Sequence, residues 1–385
     1  MTNATQVAAY YFPNYHVDAR NATHYGRGWT EWDLVRTATP RFPGHQQPKV
    51  PLWGYADEAD PAVFARKIDA AADHAIDCFL FDWYWHEQGP FLNGALDCGF
   101  LQAPNRERMR FALMWANHDW VDIFPATAGE TPALLYPGAV TRATFDRLTG
   151  HIIDRYFAQP QYWTIDGCPY FSVYELYRLI EGLGGVDATR AALADFRRRT
   201  IAAGFPDLHL NAVVWGVQLL PGEQAIKDPN HLLATLGFQS VTSYVWVHHV
   251  PLRPFPITSY AAVQAEMEQF WMQAQRDYAL PYYPNVTMGW DASPRTNQSR
   301  PFVDAGYPYT PVLGDNTPAA FAAALRAART FLDQQPAAAR ILTINAWNEW
   351  TEGSYLEPDT VYGMQYLEAI RSVFGAQPQS IPASV

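Results

Sequence analysis

Short runs of apolar, β-branched and aromatic residues recur along the chain. Longer stretches with apolar residues every three or four positions lie between them. Eight of the short runs read as strands: Val7–Phe12, Cys78–Trp83, Phe111–Trp115, Tyr170–Tyr174, Leu208–Trp215, Ser240–Trp246, Tyr282–Met288 and Ile341–Ala346. Helical periodicity covers Asp60–Ala75, Thr141–Phe157, Ala188–Gly204, Ser259–Tyr278, Thr317–Gln334 and Gly363–Gly375. The first of these opens with an Asp cap and a Pro in its first turn, a usual helix start. The helical signal is thinnest after the second and fifth strands.

Strands alternating with helices over this length predict an α/β fold, a single (β/α)8 TIM barrel with long βα loops. The catalytic barrel is expected over residues 1–375, with 376–385 as a mobile tail. A doubly wound open sheet is the competing architecture. It usually carries a Gly-rich phosphate loop after its first strand, and here that strand ends in "YYFPNYH", without glycine. The stretch from Pro13 to Asp60 is long for a connection. It holds Trp29, Trp32 and Trp53, so we expect it to be ordered and packed over the barrel.

In such a barrel the active site lies at the C-terminal ends of the strands. Polar and aromatic residues concentrate there: "YYFPNYH", "DWYWHE", "WANHDW", "YEL", "WGVQ", "YVWVHH", "GWD" and "WNEWTEG" follow the eight strands in turn, and most carry a Trp. Rings that stack on sugar C–H faces, with carboxylates and amides that bond hydroxyls, suit a carbohydrate cleft. The plainer alternative is that the rings plug the top of the barrel.

Beyond the last strand stands "NAWNEWTEGSYLEPD", Asn345–Asp359. Glu349 and Glu352 are three positions apart. In a helical or tight-turn conformation that spacing brings the side chains to one face, about 5–6 Å between Cβ atoms. Retaining glycosidases hold two carboxyl groups about 5–5.5 Å apart. Close negative charges also raise one pKa, which keeps a general acid protonated. E-x-x-E alone is common on solvated loops; the buried strand before it and the rings around it favour the catalytic reading. Glu357, before a Pro, is expected to be structural or at the rim.

Composition narrows the field. The net charge of −11 argues against nucleic acid as a partner. Cys78, Cys98 and Cys168 are too few and too scattered for a disulfide framework or a zinc site. The histidines, His16, His118, His248 and His249 among them, show no i,i+4 pair on a credible helix, so neither metal nor cofactor is expected. No stretch reaches the ~18 apolar residues of a membrane span. The opening "MTNATQVAAYYF" lacks a basic start and a long apolar core, so the expected location is cytoplasmic, or secreted had a leader been removed. No oligomeric state is implied.

Several blocks together resemble one family. "YYFPNYH", "GRGWTEWDLVRTATPRFPGHQQPKVPLWGY", "FDWYWHE", "FALMWANHDW" and "NAWNEWTEGSYLEPD" are similar to the WbsX-like group, itself similar to glycoside hydrolase family 99. The resemblance runs from about Tyr10 to Leu367. It implies a (β/α)8 barrel and retaining cleavage of α-mannosides without a metal. It also implies roles: Glu349 deprotonates the substrate's own 2-hydroxyl, which attacks the anomeric carbon to give a 1,2-anhydro sugar. Glu352 protonates the leaving oxygen, then activates water. Such backside attack needs a 2-hydroxyl anti to the leaving group, which α-D-mannosides and α-L-rhamnosides have. The chain departs from the pattern in having Thr351 between the glutamates, where family 99 has His, and His118–Asp119 where the WbsX-like group commonly has Glu–Asn.

The expected function is therefore a retaining α-glycosidase with Glu349 and Glu352 as catalytic pair. Substrate contacts are expected from Tyr11, His16, Glu31 and Trp32 on the first strand and loop. Asp82, Trp83 and Tyr84 follow from the second strand, and Trp115 and Asn117 from the third. Glu175, Trp215 and Trp290 stand on later loops, and Trp347, Asn348 and Tyr355 flank the pair, Tyr355 within reach of a catalytic carboxylate. The competing functions are a glycosyltransferase of surface-polysaccharide assembly and a non-catalytic sugar-binding barrel. No D-x-D pair with a phosphate loop is apparent for a nucleotide-sugar donor.

Overall fold

The computed structural model describes residues 5–375 except 221 and 225; the expected tail, 376–385, lies outside the described residues. Eight parallel strands follow in chain order: β1 Gln6–Tyr11, β2 Cys78–His86, β3 Arg110–Trp115, β4 Cys168–Val173, β5 His209–Val213, β6 Ser240–Thr242, β7 in two pieces, and β8 Ile341–Asn345. β8 pairs back onto β1, with Gln6 opposite Ile341, and the sheet closes into a barrel. β7 is divided by Pro284, which has no N–H to give the ladder. Its first piece, Tyr282–Tyr283, pairs with β6; its second, Asn285–Thr287, pairs with β8.

Local chemistry explains the elements. β2 is buried along its whole length, as parallel strands covered on both faces are. Asp60 caps its helix as the sequence suggested, and three further helices are capped by the first residue of the stretch read from the sequence. Asp60 accepts from Ala62 N, Thr141 from Thr144 N, Ser259 from Ala262 N and Thr317 from Ala320 N. The helices they open are Pro61–Ala72, Arg142–His151, Tyr260–Asp277 and Pro318–Asp333. Val186–Ala202 and Gln365–Phe374 complete the expected set. Where the helical signal thinned after β2, the chain makes only π and 3-10 turns, Ala95–Gly99, Phe100–Gln102 and Arg106–Arg108. After β5 it makes a short helix, Pro229–Leu236.

The Pro13–Asp60 stretch is ordered and contains helices Ala19–Tyr25 and Trp32–Thr37. Its Glu31 is fully buried and pairs with Arg295 at 3.3 Å. Among the described residues no helix is long and apolar enough to cross a membrane.

Candidate active site

The mouth of the barrel holds a cavity of about 650 Å³ at the C-terminal ends of the strands. Every strand or its following loop contributes, from Phe12 after β1 to Glu349 and Glu352 after β8.

The acids are placed by the turn that follows β8. Trp350–Glu352 forms one 3-10 turn. With three residues per turn, side chains three apart eclipse, so Glu349 and Glu352 project to the same side. Gly353 ends the turn at φ 65°, and a Cβ there would stand 2.6 Å from Asp291 Cβ. Only glycine fits this close approach without strain. The Glu352 carbonyl then accepts from Asp291 N at 2.5 Å, joining the β8 loop to the β7 loop.

Both carboxylates meet one buried cation. Arg295, from the β7 loop, gives one terminal nitrogen to Glu349 at 3.2 Å and the other to Glu352. It also reaches Glu31 at 3.3 Å, and its guanidinium lies 5.4 Å from the Phe12 and Phe124 rings. Tyr307 donates its hydroxyl to Glu352 at 2.6 Å. Thr351, between the glutamates, donates to Glu31 at 2.5 Å. Tyr244 lies within hydrogen-bond distance of both Asp82, at 2.8 Å, and Glu349, at 3.1 Å.

One guanidinium facing three carboxylates leaves uncompensated negative charge in a buried site. Burial first, then the Glu352 charge, drives the Glu349 carboxyl well above the usual range, against the pull of Arg295. Burial also raises Asp82 well above its ordinary value, and raises Glu31. A phenol has one proton to give. Tyr244 can bond Asp82 and Glu349 together only if one of those carboxyls is itself protonated.

Of the residues named from sequence, Asp82, Tyr84, Trp290, Glu349 and Glu352 line the cavity. Glu31 stands behind it, against Arg295. The others are set elsewhere. Tyr11 and Asn348 donate to Glu58 at 2.8 and 2.7 Å. The Trp347 and Trp350 indoles donate to Glu357 at 3.0 and 2.7 Å. Lys67 bridges Glu58 and Glu357, at 2.6 Å from each. This buried network lies under the turn that carries Glu349 and Glu352 and holds both of Glu349's neighbours, Asn348 and Trp350. Glu357 is thus part of the interior. Tyr355 stacks on Trp350 at 3.8 Å and donates to Asp359 rather than to Glu349 or Glu352.

Trp32 donates its indole N–H to the Ala56 carbonyl, and His16 is buried against Gly94. Trp83 lies tilted against Trp85 and edge-on to Tyr156, and Trp115 donates to the Trp85 carbonyl, both on the helix side of the barrel wall. Asn117 exchanges two hydrogen bonds with the Glu175 backbone, tying the β3 loop to the β4 loop. Glu175 accepts from Gln224 N, and burial followed by the Glu223 charge pushes it up to about 8. Trp215 lies against Tyr174 and lines a separate small cavity.

The sequence reading missed Arg295, Tyr244 and Tyr307. Tyr244 opens "YVWVHH", one of the quoted strand ends, and could have been drawn from it. Arg295 and Tyr307 lie in the long β7 loop, and no spacing rule marks them. Among the described residues, no group of three or more His, Cys, Asp or Glu is placed to hold a metal ion.

The fold is a (β/α)8 barrel with an acid-lined mouth. Solved structures with that architecture superpose over nearly the whole chain. The GH99 endo-alpha-mannosidase of Bacteroides thetaiotaomicron is 15% identical with a TM-score of 0.57, covering 96% of each chain. A glycoside hydrolase-like protein, also 15% identical, gives a TM-score of 0.63 over 97% of this chain and 95% of that one. At such identity the likeness is one of fold. The chain belongs to the family described as Glycosyltransferase WbsX, whose family model matches residues 7–370. It is 28% identical over 380 residues to the uncharacterized protein WxcX of two strains of Xanthomonas campestris pv. campestris. The match takes in 97% of this chain but only 50% of those relatives, so the chain spans about half their length.

Proposed function

We propose that the chain is a retaining glycoside hydrolase. It cleaves α-mannosidic or α-rhamnosidic linkages in a bacterial polysaccharide or oligosaccharide, with Glu349 and Glu352 as catalytic pair. The observation that carries the reading is the shared guanidinium: Arg295 touches both acids on the wall of one sugar-sized cavity.

In this reading Glu349 takes the proton of the substrate's 2-hydroxyl. The freed oxygen attacks C1 from the face opposite the leaving oxygen, the glycosidic bond breaks, and Glu352 gives its proton to the departing oxygen. A 1,2-anhydro sugar results. Water then attacks C1 while Glu352 takes its proton; the three-membered ring opens and O2 recovers its proton from Glu349. Two inversions give retention. Burial suits Glu349 to this task. A carboxylate pushed above its ordinary range is a stronger acceptor for a hydroxyl proton, provided it is ionised at the working pH. Arg295 supports that ionised form, and Asp82 is the neighbour able to hold the proton that the Tyr244 contact requires.

The family description favours a second reading, in which a sugar hydroxyl replaces water in the second step and the net reaction is transfer. A nucleotide-sugar donor is disfavoured by charge. Arg295 is the sole Arg or Lys among the described cavity residues, and carboxylates already engage it.

The test is a panel of α-mannosyl and α-rhamnosyl oligosaccharides, with the anomer of the first-formed product followed by NMR. Release of the α-anomer supports retaining hydrolysis. First formation of the β-anomer, or no cleavage across the panel, overturns it. Elongated product with an added acceptor, and no free reducing sugar, identifies the transferase.

A further inference from the structure

Glu31 is a fully buried carboxylate that does not line the cavity. Burying a charge away from water is costly unless donors surround it. Here every partner is a donor. Asn14 Nδ2 donates to Oε1 at 3.2 Å, and Thr351 donates to Oε2 at 2.5 Å. Arg295 reaches both oxygens, at 3.4 and 3.3 Å. Asn14 is turned by Asn21, whose amide donates to Asn14 Oδ1 at 2.7 Å and leaves the Asn14 nitrogen facing Glu31. Such a setting favours the ionised form. Glu31 stands at the start of helix Trp32–Thr37, yet its side chain does not cap that helix.

Through Arg295 this hidden charge is joined to both acids. A guanidinium carries two hydrogens on each terminal nitrogen. One nitrogen of Arg295 serves Glu352 and the Tyr307 hydroxyl. The other serves Glu349, at 3.2 Å, and Glu31. Tyr307 and Glu31 each engage one end of the fork, and the remaining hydrogen on each nitrogen goes to an acid.

We infer that Glu31 is a positioning residue for the reaction. It anchors Arg295 from outside the cavity, so that the guanidinium meets Glu349 and Glu352 together, and it takes up part of the charge that Arg295 would otherwise give to Glu349. This rests on the glycosidase reading above and deepens it.

The consequence has a sign. The charged and titratable groups facing Glu349 are Glu352 on its own turn, Arg295 on the β7 loop, Asp82 and Tyr84 on β2, Tyr244 after β6, and Tyr15 and Glu31 on the first loop. Burial keeps the three tyrosines protonated well past neutral pH, so the carboxyls and Arg295 decide. Burial first, then Glu352, Glu31 and Asp82, raise the Glu349 pKa, and Arg295 lowers it. Neutralising Glu31 removes one raising charge and leaves more of Arg295 to Glu349. Glu349 then ionises at lower pH.

The test is Glu31→Gln, assayed on the glycosyl fluoride of the sugar whose bond is cleaved. Fluoride departs without an acid, so the acidic limb of kcat/KM reports Glu349. The Gln oxygen can stand in for Oε1, accepting from Asn14 and Arg295, while its nitrogen donates to Thr351; the shape is kept and the charge is lost. The limb should move to lower pH by about one unit, the low end of what one close charge does. Glu31→Asp keeps the charge but draws it back from Arg295 by one methylene. Its limb should stay near the wild-type pH while kcat falls about ten- to a hundredfold, as for a displacement of about 1 Å. This second variant tests the anchor by itself should Glu31→Gln not fold. A residue that only tied the first loop to the barrel would lower activity or stability without moving the Gln limb. An unmoved limb in Glu31→Gln, or wild-type kcat in Glu31→Asp, overturns the inference and leaves the glycosidase reading standing. Wild-type protein that cleaves nothing in the oligosaccharide panel overturns that reading and the inference with it.

Discussion

The Tyr244 hydroxyl stands 3.1 Å from a Glu349 carboxyl oxygen. The same hydroxyl stands 2.8 Å from Asp82, so one phenolic proton lies between two carboxyl groups that burial pushes up in pKa. The cluster is therefore built to retain a proton at pH values where exposed carboxyls have lost theirs. Arg295 opposes this from the other side of Glu349, and the balance between the two sets where Glu349 ionises.

Glu349→Gln and Glu352→Gln should each lower kcat by about 10²–10⁴-fold, the usual worth of a positioned acid or base. Oligosaccharide binding, measured by calorimetry, should persist in both, because the amide keeps shape and hydrogen-bonding reach. Near-normal turnover in either variant would remove that residue from the chemistry.

The pH dependence of kcat/KM should show an acidic limb above the ordinary carboxylate range. In the proposed mechanism Glu349 must be ionised to accept the 2-hydroxyl proton, so activity is gained as pH rises through its raised pKa and lost as pH falls through it. Glu352 is the nearest charge raising that pKa. On a glycosyl fluoride, whose departure needs no acid, the wild type turns over with Glu352 ionised and its limb reports Glu349 beside that charge; in Glu352→Gln on the same substrate the limb should move to lower pH. An unmoved limb would assign it to another group.

Lys67→Met should destabilise the fold by about 3–5 kcal/mol, since it strands two buried carboxylates, Glu58 and Glu357, without their cation. Urea unfolding followed by Trp fluorescence measures this. Glu357 also holds the Trp347 and Trp350 indoles, so the folded fraction should turn over more slowly. A loss under about 1 kcal/mol, the worth of an exposed pair, would contradict the burial of this network.

Glu175 gives a signed prediction for stability against pH. Its folded pKa, about 8, lies above its unfolded value, so the folded state binds the extra proton between the two. The stability it contributes is full below the unfolded pKa, near ~4.3, and is lost as pH rises toward 8. Glu175→Gln mimics the protonated form and can still accept from Gln224 N. Its thermal midpoint should match the wild type at pH 4–5 and exceed it at pH 8–9. Parallel curves for the two proteins would show that Glu175 does not titrate in this window.

The sequence by itself determined the barrel and the place of its mouth. Period-two and period-3.6 patterns are local, and each strand run and helix cap depends on residues a few positions apart, so Asp60, Thr141, Ser259 and Thr317 could be read as starts. The Glu349–Glu352 pair was legible for the same reason: one turn of chain brings its members together. Tertiary structure alone decided which aromatic residues face the cavity and which are interior. Trp347, Trp115 and Trp83 stand beside strand-end residues that line the cavity, yet face helices or buried polar networks, because alternate residues of a strand point to opposite sides. It also decided the cation. Arg295 lies 54 residues from Glu349 in sequence and 3.2 Å from it in space, and no local rule encodes a charge that only closure of the barrel brings to the acids.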